Sequence, residues 1–372
     1  MNDLSTLQTL DTGEATLTID LAAIAANYRQ LAALAPGAEC AGVVKADAYG
    51  LGVEPVAKAL LAAGCRTFFV AHLNEGVKLR QIAPEARIFV LNGLPPRASG
   101  KFVESELLPV LGSLPEIQEW TAFCHANGQK FPAAVHIDTG MNRLGLGKGD
   151  LLRARALMEG FTPALAMSHF VSAEDALAPR NRRQIDGFEQ ARHILPAMPA
   201  SLCNSAGIFL EDAPILDLVR PGYALYGGNP TPGNDNPMQS VVSLTANILQ
   251  VREVGPGESV GYNARWTAPS WRRLATIGLG YADGFPRSAS CGPLGAEVHV
   301  GGHLCPIVGR ISMDLSIIDI TETGPLQRGD KVEVLGPNIS IDDLGGQAGT
   351  IGYEILTSLG KRYKRIYLNG GQ

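Results

Sequence analysis

Between Ala41 and Val219 the chain returns eight times to a short apolar run, and stretches with helical spacing lie between the runs. The runs are Ala41–Val44, Thr67–Ala71, Arg87–Leu91, Leu108–Leu111, Ala133–Ile137, Ala164–Met167, Ser201–Cys203 and Leu218–Val219. Runs this short read as buried strands. The segments between them open with caps such as Asn74 and the Ser113/Glu116 capping box. Eight β–α units in about 200–250 residues predict a (β/α)8 barrel of the TIM type. A doubly wound open sheet is the competitor, and its glycine fingerprint is missing. Gly145-Leu146-Gly147 lacks the third glycine and stands in the wrong context.

Both ends of this stretch change texture. Ahead of it, Leu17 to Asp20 reads as the end of a strand, with Asp20 as an N-cap. Leu21, Ile24, Tyr28, Leu31 and Ala35 follow at helical spacing, and Pro36-Gly37 stops that helix. Beyond it, the Pro-, Gly- and Asn-rich run from Pro230 to Pro237 reads as a linker. The strands then lengthen: Leu244–Val251, Arg273–Leu279, Glu297–Val300, Leu304–Val308, Ser316–Ile320 and Lys331–Leu335. A helix near Tyr353–Leu359 and a strand at Arg365–Leu368 close the chain. The expected organisation is a barrel over 15–235 followed by a mostly β domain over 238–372, the latter joined by an N-terminal strand within 1–19.

Composition narrows the function classes. With 372 residues, 45% hydrophobic and 18% charged, the chain has ample material for a large core. A net charge of −5 without basic blocks argues against nucleic acid or a membrane surface as partner. Six dispersed cysteines, with no C-x-x-C pair, point to reduced thiols in a cytoplasm. Met1 to Thr12 is polar and does not read as a signal peptide, and no apolar stretch is long enough to span a membrane.

Active sites of such barrels lie at the C-terminal ends of the strands. The polar residues there are Lys45 and Tyr49 after the first run, Asp138 and Arg143 after the fifth, and His169 after the sixth. Asn204 and Ser205 follow the seventh run, and Arg220, Gly222 and Tyr223 the eighth. A lysine at a strand end among small residues can lose its proton, because burial disfavours the ammonium. The neutral amine can form a Schiff base with a carbonyl such as that of pyridoxal phosphate. The plainer alternative is a lysine that snorkels from a barrel rim. The loops after strands 7 and 8 commonly bind phosphate. Asn204-Ser205-Ala206-Gly207 and Pro221-Gly222-Tyr223 offer a hydroxyl and backbone N–H groups for such an anion, where the ordinary alternative is loop capping.

Two other groupings are weaker. His299, His303 and Cys305 could suggest a metal site, but the stretch around Gly301-Gly302 reads as a hairpin, and no metal is expected. Ser168, His169 and Asp175 could suggest a hydrolase triad, but no G-x-S-x-G elbow exists.

Taken together, the motifs resemble those of the alanine racemases, pyridoxal-phosphate enzymes with a barrel and a β domain. They are Val43–Gly50, Asp138–Gly145, Arg220–Gly227, Val260–Ala264, Gly280–Gly284 and Gly309–Asp314. The resemblance runs from about Ala15 to the C-terminus. It implies a homodimeric cytoplasmic isomerase that makes D-alanine, a peptidoglycan precursor, with active sites shared between subunits. Lys45 would carry the cofactor and serve as one catalytic base, and Tyr262 would be the other, on the opposite face. Inverting a carbon needs such a pair, because the proton leaves one face and returns on the other. His169 and Arg143 resemble the residues around that tyrosine. Arg220 would face the pyridine nitrogen and, as a permanent cation, would not hand it a proton. Tyr49, Ser205, Gly222, Tyr223 and Tyr353 resemble phosphate ligands, and Arg143, Tyr281 and Met313 the substrate pocket, whose narrowness would favour a methyl side chain.

The resemblance departs at His136, where many relatives carry a lysine that becomes carbamylated, and more mildly at Ser312, where many carry a cysteine. Another anion, a carboxylate or a halide, is then expected beside Arg143. The rival functions are a broad-specificity or serine racemase, a fold-related amino-acid decarboxylase, and a non-catalytic pyridoxal-phosphate carrier. The decarboxylases compared usually show a glycine cluster and a cysteine–aspartate pair that this chain lacks. A carrier would have no use for the domain bearing Tyr262.

Overall fold

A computed structural model of the chain describes residues 15–292 and 295–369, so the polar stretch from Met1 to Thr12 lies outside it. Two compact units divide the chain: one is Leu21–Gln239, and the other combines Ser240–Leu368 with the strand before Leu21.

The first unit is the parallel barrel. Its first strand is split at Ala41. Gly42–Val43 opens a seven-stranded sheet that continues through Thr67–Val70, Arg87–Val90, Leu108–Leu111, Pro132–His136, Thr162–Met167 and Ala200–Ser201. Glu39–Cys40 pairs in parallel with Leu218–Val219. Backbone hydrogen bonds from Asp217 N–H to the Ala200 carbonyl (3.1 Å) and from Arg220 N–H to that of Cys203 (2.9 Å) close the ring. The strands are apolar because both faces are covered. All four residues of Thr67–Val70 are buried, and inside the ring Phe69 stacks on Phe89 with centroids 4.9 Å apart.

One expected cap is misplaced. The helix Leu73–Ile82 starts from His72, not Asn74, which lies within it. The carboxylate of Glu75, the third residue of the helix, reaches back to the N–H groups of Ala71 (2.7 Å) and His72 (3.0 Å), as in a capping box whose N-cap is His72. Ser113 and Glu116 do cap the helix Leu114–Ala126.

The second unit is built around the 13-residue strand Val242–Val254. Its first four residues alternate buried and half-buried, as a strand with one face on the core must. Thr16–Asp20 pairs antiparallel with it and parallel with Lys364–Leu368, so the strand that precedes the barrel lies between two strands that follow it. Past an irregularity at Ile248/Gln250 the long strand pairs with Arg272–Ile277, which pairs in turn with Ser316–Asp319. Glu297–Val300 and His303–Pro306 form a hairpin turned at Gly301-Gly302, which accounts for the spacing of His299 and His303. No helix among the described residues is long and apolar enough to cross a membrane, and all six cysteines are free thiols.

Candidate active site

Lys45 begins a turn whose handedness nothing in the sequence announces. Ala46, Asp47, Ala48 and Tyr49 follow it at φ of 53°, 55°, 54° and 54°, one full turn of left-handed helix. That conformation costs non-glycine residues about 1–2 kcal/mol each. Contacts from outside hold it. Ala46 N–H donates to Glu75 Oε1 (2.7 Å), Val53 N–H donates to Asp47 Oδ1 (2.9 Å), and Gly50 N–H closes back on the Ala46 carbonyl (2.8 Å). Burial pushes the Lys45 pKa below the usual lysine value; the nearby Arg143 adds to this, and Glu75 opposes it. The snorkelling alternative therefore loses ground to a half-buried lysine whose ammonium is disfavoured by desolvation.

The turn delivers Tyr49 to Gly222. A Cβ at Gly222 would sit 2.4 Å from the Tyr49 hydroxyl, so only glycine leaves this cradle open. Ser205 Oγ stands in the same cradle, accepting the N–H groups of Gly222 (3.0 Å) and Ala224 (3.2 Å). A phenol, a hydroxyl and a bare stretch of backbone after strands 7 and 8 suit a phosphate. Tyr223 is buried beside them. Asn204 turns its Oδ1 to Gly207 N–H (2.9 Å) and so caps its own loop.

Arg220 is buried, donating to Ser201 Oγ and to the Ser168 carbonyl, with its guanidinium carbon 5.9 Å from the Phe69 ring centre. Desolvation lowers its pKa to about 10, which still leaves it a cation at neutral pH. It acts on the two histidines nearby. Burial first, then Arg220 and Arg143, lower the pKa of His136 to about 4 and that of His169 to about 3. His169 is thus a neutral ring, a hydrogen-bond partner but no cation. Both histidines are neutral when folded and would take a proton below about 6.5 when unfolded, so stability must fall as the pH drops from about 6.5 toward about 4. Thermal melts across that window should show the loss, and His136→Gln should lessen it while His169 keeps its share. A variant as acid-sensitive as the parent would acquit His136.

The anion expected at Arg143 takes no protein form. Arg143 is exposed and has no carboxylate partner among the described residues. Being exposed, it needs none. The adjacent Asp138 is engaged by its own loop, its carboxylate accepting the N–H groups of Gly140 (2.9 Å), Met141 (2.9 Å) and Asn142 (3.1 Å).

Tyr262, Tyr281, Met313 and Tyr353 lie in the second unit. Tyr281 N–H donates to the Ser312 carbonyl (3.1 Å) and Ala282 N–H to that of Met313 (2.9 Å). A Cβ at Gly280 would meet the Met313 carbonyl oxygen at 2.3 Å, so a glycine lets these two segments touch. Large apolar side chains are left on this unit's surface, Tyr262 at 68% exposure and Met313 at 54%. Tyr353 opens the helix Gly352–Ser358. Glu75 was missed as a site residue. Its position three residues after His72 is the one signal that could have found it.

A parallel barrel with a half-buried rim lysine, a buried arginine and an adjoining phosphate-sized cradle defines a class: barrel enzymes that hold a phosphate-bearing carbonyl cofactor through a lysine. Comparison with known proteins narrows it. The family models "Alanine racemase, N-terminal domain" and "Alanine racemase, C-terminal domain" match residues 19–230 and 241–367. The chain is 56% identical over 360 residues to an alanine racemase of Methylobacterium nodulans, covering 96% of each. It is 46% identical to a catabolic alanine racemase of Mesorhizobium japonicum, covering 96% of this chain and 94% of the relative. The crystal structure of alanine racemase from Bartonella henselae, with covalently bound pyridoxal phosphate, superposes with a TM-score of 0.92 at 43% identity, covering 95% of this chain and 99% of that one. The chain belongs to the alanine racemase family.

Proposed function

We infer that this protein is a pyridoxal-phosphate-dependent alanine racemase, an isomerase interconverting L- and D-alanine. The observation that carries the reading furthest is the Lys45 turn: a lysine with lowered pKa at one end and, at the other, Tyr49 against the Gly222 cradle. The cradle fits a phosphate, so Tyr49, Ser205, Gly222 and Tyr223 would hold that end of the cofactor, with Tyr353 as a further phosphate ligand and Lys45 at its carbonyl end. When bound, pyridoxal phosphate delocalises the electron pair left on the substrate α-carbon after proton removal.

The chain's own residues do the rest. Lys45 would take the α-proton as an amine or return one as an ammonium on one face, with Tyr262 in the complementary protonation state on the other. Arg143 binds the substrate carboxylate as an exposed, always-charged fork. Arg220, a cation with a pKa of about 10, would face the ring nitrogen of the bound cofactor without handing it a proton. His169, neutral, supports the tyrosine by hydrogen bonding. Tyr281 and Met313 would bound the side-chain pocket and favour a methyl group.

Two copies are proposed to pair, the β unit of each supplying Tyr262 to the barrel site of the other. The free thiols accord with a cytoplasmic setting. The test is a panel of single-enantiomer amino acids incubated with the cofactor-loaded enzyme. Alanine should racemise fastest. Faster turnover of serine, or release of carbon dioxide, would overturn the assignment.

A further inference from the structure

We propose that Gln184 is a positioning residue, which ties the loop bearing Arg143 to the segment bearing His169 and so fixes the direction from which Arg143 meets the substrate carboxylate. The proposal rests on the reading of Arg143 given above.

Gln184 sits on the helix Pro179–Ile194 and is 2% exposed. Its amide makes three hydrogen bonds, and all leave the helix. Nε2 donates to Thr139 Oγ1 (3.0 Å) and to the His169 carbonyl (2.9 Å), while Oε1 accepts from Val171 N–H (2.8 Å). Thr139 follows the strand Pro132–His136, and His169 and Val171 follow its neighbour Thr162–Met167. One side chain therefore spans the exits of two adjacent strands, both of which carry candidate site residues.

The network continues past Gln184. The Thr139 hydroxyl, which accepts from Gln184, also shares a hydrogen bond with Ser168 Oγ, 2.7 Å away. The Ser168 carbonyl accepts from Arg220. Arg143, His169 and Arg220 are thus joined through Thr139, Gln184 and Ser168. Only an amide suits the centre, since it supplies two donors and one acceptor. A glutamate would turn a lone pair toward the His169 carbonyl. Asp138 stiffens the loop from inside by binding Gly140, Met141 and Asn142, but nothing in that set fixes the loop to the rest of the barrel. Gln184 does so four residues before Arg143, in a chain where His136 offers no carbamate.

The test uses the cofactor-loaded enzyme with Gln184→Met, Thr139→Val and Thr139→Ser, and Arg143→Lys in parallel. Thr139→Val breaks the same link from a part-exposed position, should Gln184→Met fail to fold. Loss of the link should raise the alanine KM about tenfold with kcat within about twofold, the pattern of lost substrate binding. Thr139→Ser should keep the parental KM, and the double variant should be no worse than either single one. Independently of activity, hydrogen exchange at the amides of Gly140, Met141 and Asn142 should quicken in Gln184→Met. Unchanged exchange, or quickened exchange with parental KM while Arg143→Lys raises it, overturns the proposal. Should Arg143→Lys leave KM untouched, the reading of Arg143 fails first and the proposal falls with it.

Discussion

Lys45→Ala is expected to lower racemisation by at least about a thousandfold, because one side chain supplies both the covalent anchor and the base on one face. Lys45→Arg should do no better, since a guanidinium stays protonated and cannot act as a base. The same residue should be found chemically. Borohydride reduction of the loaded enzyme should fix the cofactor to a single peptide, and mapping should place it on Lys45. The geometry favours this lysine over the others because burial and Arg143 lower its pKa. Label on another lysine, or a Lys45→Ala enzyme that still racemises, would remove Lys45 from its role.

The second large effect concerns Tyr262. Tyr262→Phe should retain the cofactor spectrum and lose racemisation by about two to four orders of magnitude, the usual worth of a positioned base. In deuterated solvent it should still exchange the α-proton of one enantiomer through Lys45. Equal exchange from both enantiomers would contradict a two-face assignment. Mixing the inactive Lys45→Ala and Tyr262→Phe proteins under subunit exchange then asks where the two residues meet. If each site draws one residue from each of two chains, about half of randomly paired dimers hold one intact site, and roughly a quarter of parental activity returns. If mixing restores nothing, the shared-site arrangement is wrong.

The elements themselves were legible wherever burial and local pattern agree. Leu108–Leu111, Glu297–Val300 and Lys331–Leu335 begin and end in the structure where their apolar runs do. The break at Ala41 was not, because an apolar residue reads as strand whether or not it pairs. The Lys45 motif was visible, but its left-handed turn was not. Alanine at positive φ contradicts local preference, and the turn exists only because Glu75 and Val53, from other elements, complete its hydrogen bonds. Polar residues that act at a distance in sequence were equally hidden. Gln184 is one of several polar residues on its helix, and its burial and its hydrogen bonds to two strand exits become visible only in the fold. The neutrality of His169 comes first from its own burial and then from Arg220 and Arg143 beside it, none of which linear spacing conveys.

The strand Thr16–Asp20 has a consequence for how the molecule is made. It leaves the ribosome before the barrel, yet its two partners, Val242–Val254 and Lys364–Leu368, both emerge after the barrel. Until Val242–Val254 is made its backbone has no ladder to join, and its second ladder waits for Lys364–Leu368. The barrel is under no such delay, since every strand of its ring comes from one continuous stretch of chain. Maturation is therefore ordered by the chain's threading: the unit bearing Lys45 can form before the unit bearing Tyr262, which needs a strand made ahead of the barrel and partners made after it.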